Sequence, residues 1–133
     1  MGQQQLLLLV LSTVIVGLAT VAGIQAFSEN QAQATQDALV QRGTSLASDL
    51  QGALAKPAQL GGVDSSSTGS KAASAIGLDN ATVDVDGASG QDATCTINSA
   101  TQITCTASES PQNVRVNLQG DSLATNFSTD GFD

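Results

Sequence analysis

The pattern of apolar and polar residues changes character along this chain of 133 residues. From Leu6 to Ile24 nearly every residue is apolar, and the polar exceptions are Ser12, Thr13 and Thr20. A membrane-spanning helix needs about 20 predominantly apolar residues, so this run is long enough to cross a bilayer. The pattern therefore predicts a helix that is apolar on all sides.

The helical pattern continues beyond the apolar run, from Ser28 to Lys56. This stretch is rich in alanine, contains no proline, and places its leucines at helical spacing. Its apolar positions are Leu39, Val40, Leu46, Ala47, Leu50, Ala53 and Leu54. They lie on one side of the helix, which predicts an amphipathic segment. We predict one helix from about residue 2 or 3 to Ala55, which Gly43 and Gly52 weaken without ending.

Beyond Asn80 the apolar residues recur at every second position, which is typical of β-strands with one buried face. The alternating segments are ATVDVDG, ATCTIN, TQITCTA and NVRVNL, separated by Gly, Asn and Ser residues. Such a series predicts an antiparallel meander, whose apolar face the stripe on the long helix could cover. The predicted fold class is therefore α+β, with a long N-terminal helix packed on a small C-terminal antiparallel sheet.

These patterns divide the chain into three predicted parts. Residues 1–56 form the long helix, with a membrane or filament-core half at 1–27 and an amphipathic half at 28–56. Residues 57–80 form a loop rich in glycine and serine, in which SKAASAIG could form one or two helical turns. Residues 81–133 form the sheet, which we call the head.

The two cysteines predict a strand pairing and a disulfide. If Cys95 faces Cys105, Ile97 lies opposite Ile103, and both pairs lie on the same face of the sheet. Opposed residues in an antiparallel ladder are within reach of a disulfide. The spacing differs from that of redox-active C-x-x-C motifs, so we expect a structural bond that stabilises the thin sheet by roughly 3 kcal/mol. A structural disulfide also indicates an oxidising, extracytoplasmic location.

The acidic charge of the chain argues against nucleic acid as a partner. The net charge is −8, from 12 acidic and 4 basic residues, and the chain has no Trp or Tyr. An acidic chain is repelled by phosphate backbones and has no aromatic platform for bases, so we expect no nucleic-acid binding. Acidic residues with few lysines also suit a salty, halophilic environment, in which salt screens the self-repulsion.

The chain offers few groups for catalysis or metal binding. It has no His and no Tyr, which leaves carboxylates and two lysines. Lys71 follows hydroxyl residues in STGSK, but a Gly/Ser-rich loop does not desolvate a lysine. The acids of DVDGASGQD lack the spacing of a calcium loop. We expect no catalytic, cofactor or metal site, and no enzymatic activity.

Two triplets match the acceptor sequence for N-glycosylation. Asn80 begins NAT and Asn126 begins NFS. Such short triplets arise easily by chance, so they are weak candidates for modification.

Small residues on the apolar helix indicate contact with other helices. They are spaced four residues apart, which places each pair on one face and allows a second helix to approach closely. The pairs are Thr13 with Gly17, Ala19 with Gly23, and Ala22 with Ala26. The alternative is a lone signal anchor, but an anchor usually carries basic residues on its cytoplasmic flank. This helix instead begins with the uncharged residues Gln3, Gln4 and Gln5.

An apolar N-terminal helix with an amphipathic continuation, a loop and a small antiparallel sheet resembles a type IV pilin. MGQQQLLLLVLSTVIVGLATVAGIQAF is similar to the pilin helix in length, position and lack of charge. The resemblance implies a structural subunit of an extracellular type IV pilus-like filament at the cell surface. Its partners would be identical subunits, and a pilus assembly machinery in the inner membrane would act on a single-pass membrane precursor.

Two features depart from the pilin pattern. Type IV prepilins carry a basic leader that ends in glycine, whereas here Met1 and Gly2 precede the glutamines, which makes Gly2 a candidate processing point. Pilins usually have glutamate at the fifth mature position, where this chain has Gln5 if uncut and Leu7 if cut after Gly2. A buried amide can both donate and accept hydrogen bonds, so we expect the three glutamines to replace the missing charge pair.

Two other functions are compatible with the sequence. One is a single-pass membrane anchor that holds an extracytoplasmic binding module. The other is a minor pilin or a secretion pseudopilin, which shares the helix but occupies a filament tip or a short periplasmic fibre.

Overall fold

The computed structural model of the chain describes residues 2–85 and 93–132. Within these residues it contains two α-helices, a 3-10 turn at Ala58–Leu60 and five β-strands. The helices are α1 (Gly2–Ala55) and α2 (Gly69–Ala75). The strands are β1 (Thr82–Asp84), β2 (Thr94–Ser99), β3 (Gln102–Thr106), β4 (Asn113–Gln119) and β5 (Ser122–Ser128). The long helix and the antiparallel sheet confirm the predicted α+β class.

Residue contacts divide the chain into two compact units. The first unit extends to Gln31 and consists of the first part of α1. The second unit begins at Ala32 and contains the rest of α1, the short helix α2 and the whole sheet. The head and the part of α1 from Ala32 onward therefore belong to one packed body.

Helix α1 continues through Gly43 and Gly52, as predicted. It ends at Ala55, two residues before Pro57, whose ring and missing N–H prevent a helix from continuing. The next turn closes with Gly61 in the left-handed region at φ 84°, which glycine adopts without steric cost. The predicted helical turns in SKAASAIG correspond to the short helix α2, which begins one residue earlier, at Gly69, and ends at Ala75.

The sheet is an antiparallel meander in which each strand pairs with its neighbours in sequence, in the order β1-β2-β3-β4-β5. Its register places Cys95 opposite Cys105 and Ile97 opposite Ile103, as the cysteine argument predicts. A disulfide joins the two cysteines, whose Cα atoms are 4.0 Å apart. The predicted first strand is short, since β1 ends at Asp84 and the region 86–92 lies outside the described residues.

The strand β5 is not among the predicted strands. It follows β4 through a two-residue turn, because Gln119 pairs with Ser122 and leaves Gly120 and Asp121 between them. Gly120 has φ 62°, which matches the preference of such hairpins for glycine at the first turn position. The Gly-Asp dipeptide is therefore the sequence signal that marks this hairpin.

The core lies between the amphipathic half of α1 and one face of the sheet. The helix supplies the buried residues Leu39, Leu46, Ala47, Leu50 and Ala53. The sheet supplies Cys95, Ile97, Ile103, Cys105, Val114, Val116 and Leu118. We call this face of the sheet the inner face. No aromatic side chain is among the buried residues of the described chain, so the core is built from small and aliphatic groups.

Candidate assembly surface

The first unit exposes an unbroken apolar surface. Between Leu6 and Phe27 every large apolar side chain of α1 is 52–70 % exposed. Monomeric soluble proteins rarely expose contiguous apolar patches larger than a few hundred Å². By length and composition this helix can cross a membrane, and none of its most apolar window is buried by the described residues. The surface therefore needs a cover, either lipid or other protein chains. We call residues 6–27 the apolar half of α1.

The hydroxyl residues within the apolar half do not require water. The hydroxyl of Ser12 donates to the carbonyl oxygen of Leu8, and that of Thr20 donates to the carbonyl oxygen of Val16, each at 2.8 Å. Thr13 donates in the same way to the carbonyl oxygen of Val10 at 2.8 Å. Helical hydroxyls that bond back to their own backbone satisfy themselves. The helix therefore presents no unsatisfied hydroxyl to an apolar environment at these positions.

The predicted helix-contact residues lie on exposed positions of this helix. A shallow groove is lined by Ser12, Thr13, Val16 and Gly17, which contains the first predicted pair of small residues. A side chain added at Gly17 or Gly23 would meet no atom within 4 Å. Ala19 and Ala26 are exposed as well. These positions are open to another helix, and their role in assembly stays a prediction.

The glutamine cluster occupies the start of α1. Gln3, Gln4 and Gln5 lie in the first turn of the helix and are exposed, and no acidic residue accompanies them. The first four N–H groups of a helix have no partner within the helix. The candidate processing residue Gly2 begins α1, while Met1 lies outside the described residues. The side-chain amides are therefore accessible at the end of the helix where backbone donors are also free.

The disulfide belongs to the core and not to an accessible site. Both Cys95 and Cys105 are completely buried. α1 covers the bond, since a methyl group added at Gly43 would lie 3.3 Å from the Cys105 sulfur. Redox-active cysteines are partly exposed. This burial therefore favours the structural role that the sequence predicts.

The described residues of the head form little that resembles a chemical site. An open cleft lies between the end of α1 and the turns of the sheet, and Asp121 is the only charged residue among those that line it. Gln51 crosses the cleft, where its amide nitrogen donates to the carbonyl oxygen of Gly120 at 3.5 Å. Lys71 is exposed on α2. Within the described residues no group of three or more His, Cys, Asp or Glu side chains could hold a metal ion.

Both candidate glycosylation residues lie on the surface. Asn80 is exposed between α2 and β1, and Asn126 is exposed on β5. An attached glycan would meet no steric barrier from burial at either side chain. Their modification stays a prediction.

One exposed apolar area of the head, on β5, is not predicted by the sequence pattern. Leu123 and Phe127 of β5 are 38 % and 47 % exposed. They pair with Leu118 and Val114 of β4, which are buried on the inner face. The apolar inner face therefore extends past the area that the rest of the head covers.

No family model matches the chain, and neither the curated proteins nor the solved structures contain a significant match to it. The long N-terminal apolar helix and the helix-covered antiparallel sheet are compatible with a pilin-like fold.

Proposed function

We propose that this chain is the structural subunit of an extracellular type IV pilus-like filament. The observation that carries the proposal is the contrast within α1. One face of its amphipathic half is buried against the sheet, whereas every large apolar side chain of its apolar half is more than half exposed. The subunit would wait in the inner membrane as a single-pass precursor, with the head outside. Assembly would move the apolar half from lipid into a bundle of identical helices.

The composition of the apolar half supports a helix bundle as its final environment. The chain has no charged residue before Glu29, so identical helices meet no like charges in a common core. The small residues that begin at Thr13 and Gly17 permit close approach of backbones, which lipid alone does not require. A repeated heterologous contact between copies does not close on itself and therefore produces a filament.

The glutamines are proposed to join neighbouring helix starts inside that bundle. A charge buried among apolar helices is costly unless it is paired, whereas a glutamine side chain both donates and accepts. We expect Gln5→Leu to reduce filament yield, because the amide contacts are lost while the apolar character increases. Gln25→Leu is the matched control, since Gln25 is an exposed glutamine on the same helix away from its start. Equal filament yield from both variants would contradict this role.

The direct test is to shear surface material from cells that make the protein and to image it by electron cryo-microscopy. Thin filaments whose density fits this chain, with the apolar halves in the core, would support the proposal. The same map would show what the glutamines contact and whether the chain begins before or after Gly2. Protein that stays in the membrane fraction without filaments would overturn it.

Two related functions follow from the same surface. A single-pass anchor that holds a binding module outside the membrane needs only the length and apolarity of α1, which the helix has. A minor pilin or secretion pseudopilin would share the bundle contacts and differ in abundance. Quantifying the chain relative to the other subunits of the purified filament distinguishes a major from a minor subunit.

A further inference from the structure

The two edges of the sheet differ in how they are protected. β1 is three residues long and carries Asp84, whereas β5 is seven residues long and contains no charged residue and no proline. Natural proteins usually block edge strands with charge, proline, bulges or short length. No strand within residues 2–85 and 93–132 pairs with the outer edge of β5. The strand therefore presents a row of free backbone donors and acceptors.

The side chains of β5 also leave apolar surface uncovered. Leu123 and Phe127 lie on the inner face and are 38 % and 47 % exposed, although their partners on β4 are buried. An open edge with exposed apolar residues on one face is the form of a strand that accepts another strand.

We propose that β5 pairs with β5 of a second copy, antiparallel, around a two-fold axis at Thr125. This register is the one that the side chains of SLATNFS select. It sets Leu123 of each copy opposite Phe127 of the other, so two apolar pairs form on the inner face. On the outer face Ala124 meets Asn126. The two five-stranded sheets become one continuous sheet across the dimer.

The self-complementary register favours a second copy as the occupant, and the charge of β5 permits it. The chain has a net charge of −8, so most of its surface repels another copy of itself. β5 is neutral along its whole length, so a ladder between two copies of it places no charged side chains opposite each other. Asp121 and Asp130 lie beyond this ladder, in the turn before β5 and in the bend after it. A shift of the axis by one residue to Ala124 would instead place Leu123 opposite Thr125 and leave Phe127 beyond the ladder, so both Leu–Phe pairs would be lost.

This contact is distinct from the helix contacts of the proposed filament. An isologous contact uses the same patch on both copies and closes after two, so it cannot extend a filament by itself. It would join copies in pairs. If the copies already belong to filaments, it would link two neighbouring filaments side by side. The inference therefore stands whether or not the apolar halves assemble into a bundle.

Cysteine crosslinking of the full chain in detergent micelles tests the register. In Thr125→Cys the two introduced cysteines would face each other, with Cα atoms about 4.5–5.5 Å apart. Asn126→Cys is the matched control, because its two cysteines would lie roughly 8 Å apart, beyond disulfide reach. With a mild oxidant we expect a disulfide-linked dimer from Thr125→Cys, at least about fivefold more than from Asn126→Cys, as the difference in reach requires.

A second change tests the apolar pairs. Adding Phe127→Ser to Thr125→Cys should lower the crosslinked fraction severalfold, because both Leu–Phe pairs are lost. Phe127 is nearly half exposed, so the head should still fold, which intact protection of the native disulfide would verify. Equal crosslinking of Thr125→Cys and Asn126→Cys, or none from either, would overturn the pairing. Crosslinks in native membranes to a chain of different mass would overturn the choice of occupant.

The outcomes separate this inference from the proposed function. Filaments in sheared material together with no crosslink at residue 125 would overturn the β5 contact alone. A specific crosslink without filaments would overturn the filament and leave the β5 contact in place.

Discussion

The close approach of α1 to the sheet at Gly43 can be tested with one methyl group. A Cβ atom at this position would lie 3.1 Å from Cγ2 of Val116 and 3.3 Å from the sulfur of Cys105. Carbon atoms in favourable contact are about 3.5–4.0 Å apart. Both neighbours would have to recede by several tenths of an ångström, yet both are completely buried. Cys105 is also fixed by its disulfide. The substitution Gly43→Ala should therefore overpack the core.

The expected change in the free energy of unfolding is the balance between a gain in helix propensity and a cost of overpacking. Alanine is more favourable than glycine in a helix interior by about 0.8–1.0 kcal/mol. Overpacking of a well-packed core costs typically about 1–3 kcal/mol. Gly43→Ala should therefore change the free energy of unfolding of the head by between roughly zero and a loss of about 2 kcal/mol. The propensity gain hides part of the packing cost, so this variant alone is a weak test.

Gly52→Ala is the matched control on the same helix. A Cβ atom at Gly52 would meet nothing within 4 Å, so only the propensity term remains. This variant should stabilise the head by about 1 kcal/mol. The packing cost is then the difference between the two variants, for which we expect about 1–3 kcal/mol.

Hydrogen exchange provides the assay, because the chain has no Trp or Tyr to report unfolding by fluorescence. The free energy of opening would be measured for the amides of β3 and β4 in the full chain in detergent micelles. These strands contact Gly43 through Cys105 and Val116. If both variants stabilised these amides to the same extent, the helix would not lie against the sheet at Gly43, and the packing argument would be refuted.

Three further perturbations test the core and the apolar half. Replacing Cys95 and Cys105 together by alanine should cost about 3 kcal/mol by the loop-entropy model, measured by the same hydrogen exchange; an unchanged opening energy would contradict a stabilising bond. Leu50→Ala should cost about 2–5 kcal/mol because Leu50 is completely buried, whereas Leu60→Ala, at a side chain 75 % exposed, should cost almost nothing. Val16→Asp places a charge near the centre of the apolar half and should disfavour membrane insertion by about 3 kcal/mol. Alkaline extraction of membranes would compare the variant with the unchanged chain, and release of the unchanged chain into the supernatant would show that this half does not span the bilayer.

The parts of the fold that could be predicted are those in which apolar residues recur with a clear helical or strand spacing. The apolar run fixed the first part of α1, and the leucine spacing identified the face that carries Leu39, Leu46 and Leu50. The strands β2 and β3 followed from alternation, and the two cysteines selected their register. These signals are local, since each arises from residues that lie on one face of one element.

The parts that were missed depend on tertiary context. β5 has only two large apolar residues, Leu123 and Phe127, and both are partly exposed, so its alternation is weak and its turn is the stronger signal. From sequence Gly43 is a residue that weakens a helix. Only the packed structure gives its advantage, which is that a backbone without a side chain can approach Val116 and Cys105.

The candidate assembly surface was recognisable from sequence because a long run of apolar residues identifies it. What covers that surface depends on how the chain is inserted or assembled, which the residue pattern does not show. Fully burying an exposed Val, Leu, Ile or Phe side chain is worth about 1.5–3 kcal/mol, and those of the apolar half are 52–70 % exposed, so covering them would release an amount comparable to or larger than the net stability of about 5–15 kcal/mol of a typical domain. The head covers its own core within one chain. The apolar half has no such cover among the described residues, so its environment must come from outside the chain. A lipid bilayer and the proposed bundle of identical helices would both supply it, and the proposed transfer from the first to the second would exchange one apolar environment for another. The balance between them therefore depends on the features that distinguish helices from lipid, which are the small residues around Gly17 and the amides at the start of α1.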